Sequence, residues 1–549
     1  MRPACYLVPI LAIFTLEAQA MTLHAPKNGV IELTFHSTGE YSDPYNQVDL
    51  DVDLTAPDGS SFRVPGFWNG GHVWKVRFSG EKVGEYTFKT VCSDAGDSGL
   101  HEQTGTITVY EGTATNDLQR HGRVRVSENK RHFVHADGTP FLWVGDTWWM
   151  GLTTRLAWPQ GFKTLAMDRV AKGFSVIQII AGPLPDMDAW DPRGKNEAGY
   201  PFEADFARIN TAYYDHADLK IGGLVEAGLV PCIVGMWGYY LPQIGVDKIK
   251  RYWRYLVARY GAYPVVWCVA GEGTMAYYLS KTPKEDSETQ KQGWTEVMRS
   301  VRETDGYHNL IGIHPTRYGR EMVEDDSLMD FEMLQTGHGD MESLATIQES
   351  LVQSLAKEPR MPVVNSEVNY EGILGRSWQN VQRWCYWLSM LNGAAGHTYG
   401  ANGIWQMSTV EQPYGLSPHG RSWGNTPWTE AYQLPGSRQV GLGAKLLRRY
   451  PWWEMEVHPE WVDPAGPEQP WRFAGMGIPG KLRIFFVGHV WDPPTVLALE
   501  PGVAYRAFYF DPTNGNEIDL GEAKGDAEGK WRPIHPPESH DWVLVMEVQ

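Results

Sequence analysis

The sequence predicts a central (β/α)8 barrel flanked by an N-terminal and a C-terminal β-sandwich. Three shifts in pattern carry this reading. Over residues 21–112 apolar and polar residues alternate with a period of two, over 124–445 apolar runs alternate with amphipathic stretches, and after residue 446 the short alternating runs return. Length agrees, since 549 residues exceed one core and ~150 residues per domain leaves roughly three or four units, one of them large.

Taken in order, residues 1–20 read as a secretory signal peptide: Arg2, an apolar run from Tyr6 to Leu16, and a small-x-small end at Ala18-Gln19-Ala20. The run is shorter than the ~20 residues a spanning helix needs, and no later segment reaches that length, so the expected location is secreted or periplasmic, with no membrane span. In the first unit, Val48, Leu50, Val52 and Leu54 alternate with Asp49, Asp51 and Asp53. Further alternation follows through Trp74, Val76 and Phe78, through Tyr86 and Phe88, and through Ile107 and Val109. Short strands at this spacing predict an antiparallel sandwich. The aspartate row reads as a solvated strand face, because acids spread along a strand do not form a compact calcium loop. Residues 113–123 are polar and aperiodic and read as a linker.

Eight apolar runs follow. They lie at Phe141–Val144, Phe174–Ile180, Leu229–Val234, from Pro264, at Asn309–Ile313, Asp330–Leu334, Pro362–Val364 and Ala394–Tyr399. Helical spacing separates them, clearest over Phe162–Lys172 and in Val246–Tyr260, where Ile249, Trp253, Leu256 and Val257 share a face. Strands alternating with helices pair in parallel, and eight over roughly 300 residues is the size of a closed barrel; a doubly wound sheet is the alternative. Beyond Leu446, Leu482–Val487, Tyr505–Phe510 and Trp542–Val545 predict the last β-unit.

Composition narrows the partners. A net charge of -18 would be repelled by nucleic acid and by anionic membranes, so neither is expected as a partner. The 24 tryptophans supply flat apolar faces that suit sugar rings as well as cores. Cys92, Cys232, Cys268 and Cys385 show no metal spacing and read as buried thiols, with a Cys232–Cys268 bridge left open. Oligomeric state is not legible.

The strand ends of a barrel collect its chemistry on one rim. In order they offer Asp146 with Trp148 and Trp149, Gln178, Trp237, Glu272, His314, His338, Asn365 with Glu367, and His397 with Tyr399. Glycosidic bond cleavage needs one carboxyl that stays protonated and one that is ionised. Glu272 and Glu367, closing the fourth and seventh runs, are the expected pair, at the separation of about 5–5.5 Å of a retaining site. Glu371, in the same loop as Glu367, is a rival for its role, and Asp146 is expected to bind sugar hydroxyls or to hold the loop of Trp148 and Trp149. The remaining rim residues are expected substrate contacts. His314, His338 and His397 could converge on a metal, but hydrogen bonding to sugar or carboxylate is favoured; no metal and no cofactor is expected. Gly420-Arg421-Ser422-Trp423-Gly424 matches the serine-hydrolase elbow only by letter, since no apolar strand leads in and Pro427 follows. Gly475-Met476-Gly477-Ile478-Pro479-Gly480 leads into a strand rather than a helix and reads as a turn. The competing class is a non-catalytic carbohydrate- or matrix-binding protein on a barrel scaffold.

The segment Phe133–Trp148, FVHADGTPFLWVGDTW, with Asp168-Arg169 and Lys172-Gly173-Phe174, resembles the opening of the apiosidase-like glycoside hydrolases, and Pro362–Glu367 with Tyr370-Glu371-Gly372 resembles that family's nucleophile strand. The resemblance covers about residues 124–445. It implies a (β/α)8 catalytic barrel, action on plant pectic side chains, Glu367 as nucleophile and Glu272 as acid/base. The first β-unit is similar to the sandwich that often precedes such barrels, and the last resembles a module that carries a collagen-binding label. One position departs: related barrels place Asn before the acid/base, and here the neighbour is Gly271.

Overall fold

The computed structural model describes residues 21–463, 473–488 and 493–548. The signal peptide expected over residues 1–20 lies outside them. The first unit is a sandwich of a five-stranded sheet on a three-stranded one, with the alternating apolar residues Leu50, Val52, Leu54, Trp74, Val76 and Phe78 between them. One pairing departs from the antiparallel expectation: Met21–Pro26 runs parallel to Thr104–Tyr110.

The eight central runs form one parallel sheet that curls into a barrel. Its strands are β1 (Trp143–Thr147), β2 (Val176–Ile180), β3 (Val230–Val234), β4 (Val266–Cys268), β5 (Ile311–Gly312), β6 (Glu332–Gln335), β7 (Val363–Glu367) and β8 (Gly396–Tyr399). Pairing runs β5-β4-β3-β2-β1-β8-β7-β6, with β8 beside β1. The seam between β5 and β6 is held where the Asp330 N–H donates to the Ile311 carbonyl at 2.9 Å. The strands are buried along their length except at Gln335, which ends β6, as continuous apolar runs in parallel strands require. A three-stranded antiparallel sheet precedes β1, and its Phe133 ring packs on Trp143 and Phe331 at centroid distances of 5.5 and 5.7 Å.

Helices α1 (Gln160–Lys172), α2 (Thr211–Glu226), α3 (Val246–Tyr260), α4 (Pro283–Thr304), α5 (Leu344–Leu355), α6 (Gln379–Leu391) and α7 (Pro435–Leu447) cover the sheet. The crossover from β5 to β6 is made by short 3-10 turns at Gly319–Met322 and Asp326–Leu328 instead of a full helix. The stripe of α3 that carries Ile249, Trp253, Leu256 and Val257 is buried as expected.

The aspartate row is not simply a solvated face. Arg251 and Arg254 of α3 reach Asp49 at 2.6 and 3.0 Å, and Arg254 reaches Asp51 at 2.8 Å, so the acids fasten the sandwich to the barrel. Nor is the polar stretch 113–123 wholly irregular: Asp117–His121 is a short helix capped by Asn116, whose amide also donates to the Val225 carbonyl at 2.9 Å at the end of α2. The last β-unit is a six-stranded sheet with a separate two-stranded ribbon. It docks on α6 through Phe486 against Trp384 and Trp387 and through an Arg383–Asp541 ion pair. The glycines at 475 and 477 lie in one strand of a hairpin and Gly480 in its turn. All four described cysteines are free and buried, Cys232 and Cys268 included.

Candidate active site

The C-terminal ends of the strands open on a cavity of about 340 Å³. Glu272, just past β4, and Glu367, the last residue of β7, both line it, together with Trp149, Trp237, Gln335, His338, Tyr370 and Trp405.

Glu272 is held from two sides. Trp237 Nε1 donates to its Oε2 at 3.2 Å, and Gln335 Nε2 donates to its Oε1 at 3.1 Å. Its backbone is left-handed, at φ +42°, a conformation a non-glycine residue keeps only where its surroundings impose it, at a cost of about 1–3 kcal/mol. The departure at Gly271 has a steric reason in the same place. A Cβ there would lie 2.1 Å from the Trp237 ring, so only glycine lets that indole lie flat and aim its N–H at Glu272.

Glu367 stands among histidines. His338 Nε2 is 2.8 Å from its Oε1, and His314 Nε2 lies 3.2 Å from its Oε2. His338 stacks on Tyr370, whose hydroxyl accepts from Trp149 Nε1 at 3.1 Å, so the rings around the carboxylate brace one another.

These surroundings separate the two carboxyls. Burial, reinforced by the charge of Glu367, pushes the Glu272 carboxyl above its ordinary range. Burial also opposes ionisation of Glu367, but the hydrogen bond from His338 and the imidazole of His314 close by outweigh it and hold that carboxyl well below the usual range. One glutamate is poised to carry a proton and the other to be an anion.

Several expected substrate contacts do not line the cavity. Asp146 and Arg169 form a fully buried ion pair, and Asp146 also accepts from Trp148 Nε1 at 2.8 Å, away from the cavity. Trp148 packs edge-on against Phe162 of α1. Gln178 is fully buried and donates to the Ser366 carbonyl at 3.1 Å. Asn365 is spent on Ser389 of α6 at 3.0 Å, and His397 abuts the Tyr386 ring, where burial lowers its pKa to about 3. Glu371 accepts from the Tyr399 hydroxyl and, at 3.0 Å, from the Gly436 N–H at the start of α7, an enclosed arrangement unlike that of a nucleophile. His314 is fully buried and stands against Glu367 without lining the cavity. Among the described residues no cluster of three His, Cys, Asp or Glu side chains could hold a metal ion.

The cavity also has residues that the sequence did not single out. Gln335 follows directly on a run read as ending at Leu334, and Tyr370 lies inside the quoted β7 motif, so both were within reach. Asp186, Tyr278, Trp405, His419 and Trp423 come from loops, where periodicity gives no signal. Trp423 belongs to the segment that matched the serine-hydrolase elbow by letter and His419 directly precedes it; the segment is a loop with no strand leading into it.

An apiosidase-like catalytic domain matches residues 127–454. The chain belongs to the apiosidase-like family. Residues 25–93 match a domain of unknown function, DUF5060. Among solved structures, this apiosidase-like chain resembles a glycoside hydrolase family 5 protein from Bacteroides vulgatus ATCC 8482, with a TM-score of 0.66 and 22% identity over 79% of this chain and 95% of the other. A protein described only as a glycoside hydrolase gives a TM-score of 0.64 and 21% identity over 80% of this chain and 99% of its own. Both likenesses concern the fold. No curated protein matches the chain.

Proposed function

We propose that the barrel is a retaining glycoside hydrolase in which Glu272 is the acid/base and Glu367 the nucleophile, acting on a plant or algal polysaccharide or oligosaccharide outside the cytoplasm. The observation that carries this is the opposite displacement of the two carboxyls by their surroundings. Glu272 gives its proton to the leaving glycosidic oxygen while a Glu367 oxygen attacks the anomeric carbon, so the C–O bond to the leaving group breaks as the bond to Glu367 forms. Glu272, now a carboxylate, takes a proton from water, whose oxygen displaces Glu367 and restores both groups. Trp237 and Gln335 fix the proton donor, and His314 and His338 stabilise the anion before attack and after release. The aromatic walls offer ring faces to a sugar, and a cavity of about 340 Å³ lies at the small end of ligand sites, which run about 300–1,000 Å³.

The test is product release from a panel of plant and algal polysaccharides and oligosaccharides, with Glu367→Gln run beside the parent chain. A sugar released by the parent and reduced on the order of 10⁴-fold or more in the variant supports the assignment. Equal rates would overturn the role of Glu367, and no release by the parent across the panel would overturn the hydrolase reading.

A further inference from the structure

The part of the cavity wall away from the two glutamates is built around a third carboxylate. Asp186, on the loop after β2, is 3% exposed and lines the cavity. Its Oδ2 accepts from Trp423 Nε1 at 3.1 Å, from the Tyr414 hydroxyl at 3.4 Å and from the Ser417 hydroxyl. Its Oδ1 is buried and has no hydrogen-bond partner; the closest basic nitrogen, His419 Nε2, stands 4.0 Å away. Three donors therefore fix one oxygen and leave the other as an acceptor without a donor. A buried acceptor in that state costs about 1–3 kcal/mol until a donor reaches it. Asp186 also holds a left-handed backbone at φ +61°, so the loop keeps a strained residue here.

The cavity holds no lysine or arginine with which to pair an acid, among the described residues. Its lining contains Asp186, Glu272 and Glu367, and His338 and His419. His338 is already engaged by Glu367. A uronic acid brings a carboxylate, which proteins pair with arginine or lysine and which like charges in a poorly hydrated site repel. A neutral sugar brings hydroxyls, the donors that Asp186 Oδ1 lacks.

Resting on the hydrolase reading for the identity of the site, we propose that the cavity selects an uncharged glycosyl unit and that Asp186 is the residue that sets this choice, accepting a sugar hydroxyl at Oδ1 and repelling a carboxylate. Its Oδ2 contacts make the selection rigid, because they tie the loop after β2 to the loop that carries Ser417 and Trp423.

Equilibrium binding by calorimetry to the Glu367→Gln chain separates binding from turnover. The probes are neutral oligosaccharides from mannan, xylan, glucan and arabinan and, beside them, oligogalacturonides and glucuronosyl-bearing fragments of matched length. A neutral probe is expected to bind at least tenfold tighter than its acidic counterpart. Adding Asp186→Asn, which keeps the shape but removes the charge and can turn a donor toward the cavity, is expected to narrow that ratio at least tenfold with the unfolding midpoint retained. Equal or tighter binding of the acidic member, an unchanged ratio in Asp186→Asn, or no binding by any probe would overturn the proposal. Hydrolysis of the bound neutral probe by the parent chain is read separately: a probe that binds but is never cleaved sinks the hydrolase reading and leaves the selection of neutral sugar standing.

Discussion

Glu367 and Glu371 occupy the same strand-end segment, yet they sit in different regions of the molecule. Glu367 faces the cavity with two histidines against it, while Glu371 turns into a buried network with Tyr399, Gly436 and, nearby, the Asp146–Arg169 pair. Both regions bury carboxylates at the rim of one barrel. What differs is the company: the cavity carboxyls are left facing open space with their ionisation split, whereas the network carboxylates are spent on protein donors that join α1, β8 and α7. Burial alone therefore does not mark a catalytic acid. A Cβ at Gly436 would stand 2.4 Å from Glu371 Oε2, so even the glycine at the start of α7 serves to let that carboxylate in.

The sharpest way to break the comparison is to remove the proposed proton donor. Glu272→Gln keeps the shape of the side chain and removes the acid. The rate on a substrate with a poor leaving group is expected to fall by about 10²–10⁴-fold, the usual contribution of general acid catalysis. The pH profile carries the specific signature. The proposed mechanism requires Glu272 protonated and Glu367 ionised, so it predicts that the parent's rate falls as pH rises through the raised value of Glu272 and falls again only at acid pH, below the ordinary carboxylate range, where Glu367 takes a proton. The variant should lose the alkaline limb and keep the acid one. An alkaline limb that survives unchanged would remove Glu272 from the role.

In the buried network the expected effect is on folding rather than chemistry. Arg169→Met leaves Asp146 uncompensated in a fully enclosed site, and breaking one partner of such a pair costs about 3–5 kcal/mol. Denaturant unfolding should report that loss, while kcat per folded molecule stays close to the parent's. A large fall in kcat with stability retained would place Arg169 and Asp146 in the reaction after all.

The contrast also explains what could be read from the sequence. The barrel was legible because apolar runs alternating with amphipathic stretches leave few arrangements, and Glu272 and Glu367 because each ends such a run. The directions taken by Asp146, His397 and Tyr399 were not, for a reason of geometry. A strand presents successive side chains to opposite faces, and in a run that is apolar on both faces nothing tells which face a terminal polar residue takes. Asp146 looks to Arg169 on α1, His397 to Tyr386 on α6, and Tyr399 to Glu371. The aspartates at 49 and 51 failed in the same way: alternation showed that they left the sandwich core, but not that arginines of α3 waited on the other side. The cavity loops carry no periodicity at all, so Asp186 and His419 emerge only once the chain is folded.

The smallest effect separates the two regions by pH rather than by rate. Burial pushes the Glu371 carboxyl up to about 7, against the hydrogen bonds from Tyr399 and Gly436 that oppose the shift. The folded chain therefore binds a proton there that the unfolded chain, with an ordinary glutamate near 4.5, has released. This contribution to stability is fully present below about pH 4.5 and is lost as pH rises through about 7, amounting to at most about 3 kcal/mol across that window. Glu371→Gln has no proton to lose, so unfolding measured from pH 4.5 to 8 should show a shallower decline for the variant than for the parent, with activity preserved. Parallel declines would mean that Glu371 does not titrate in the folded chain, and a loss of activity at constant stability would return it to the cavity as the rival of Glu367.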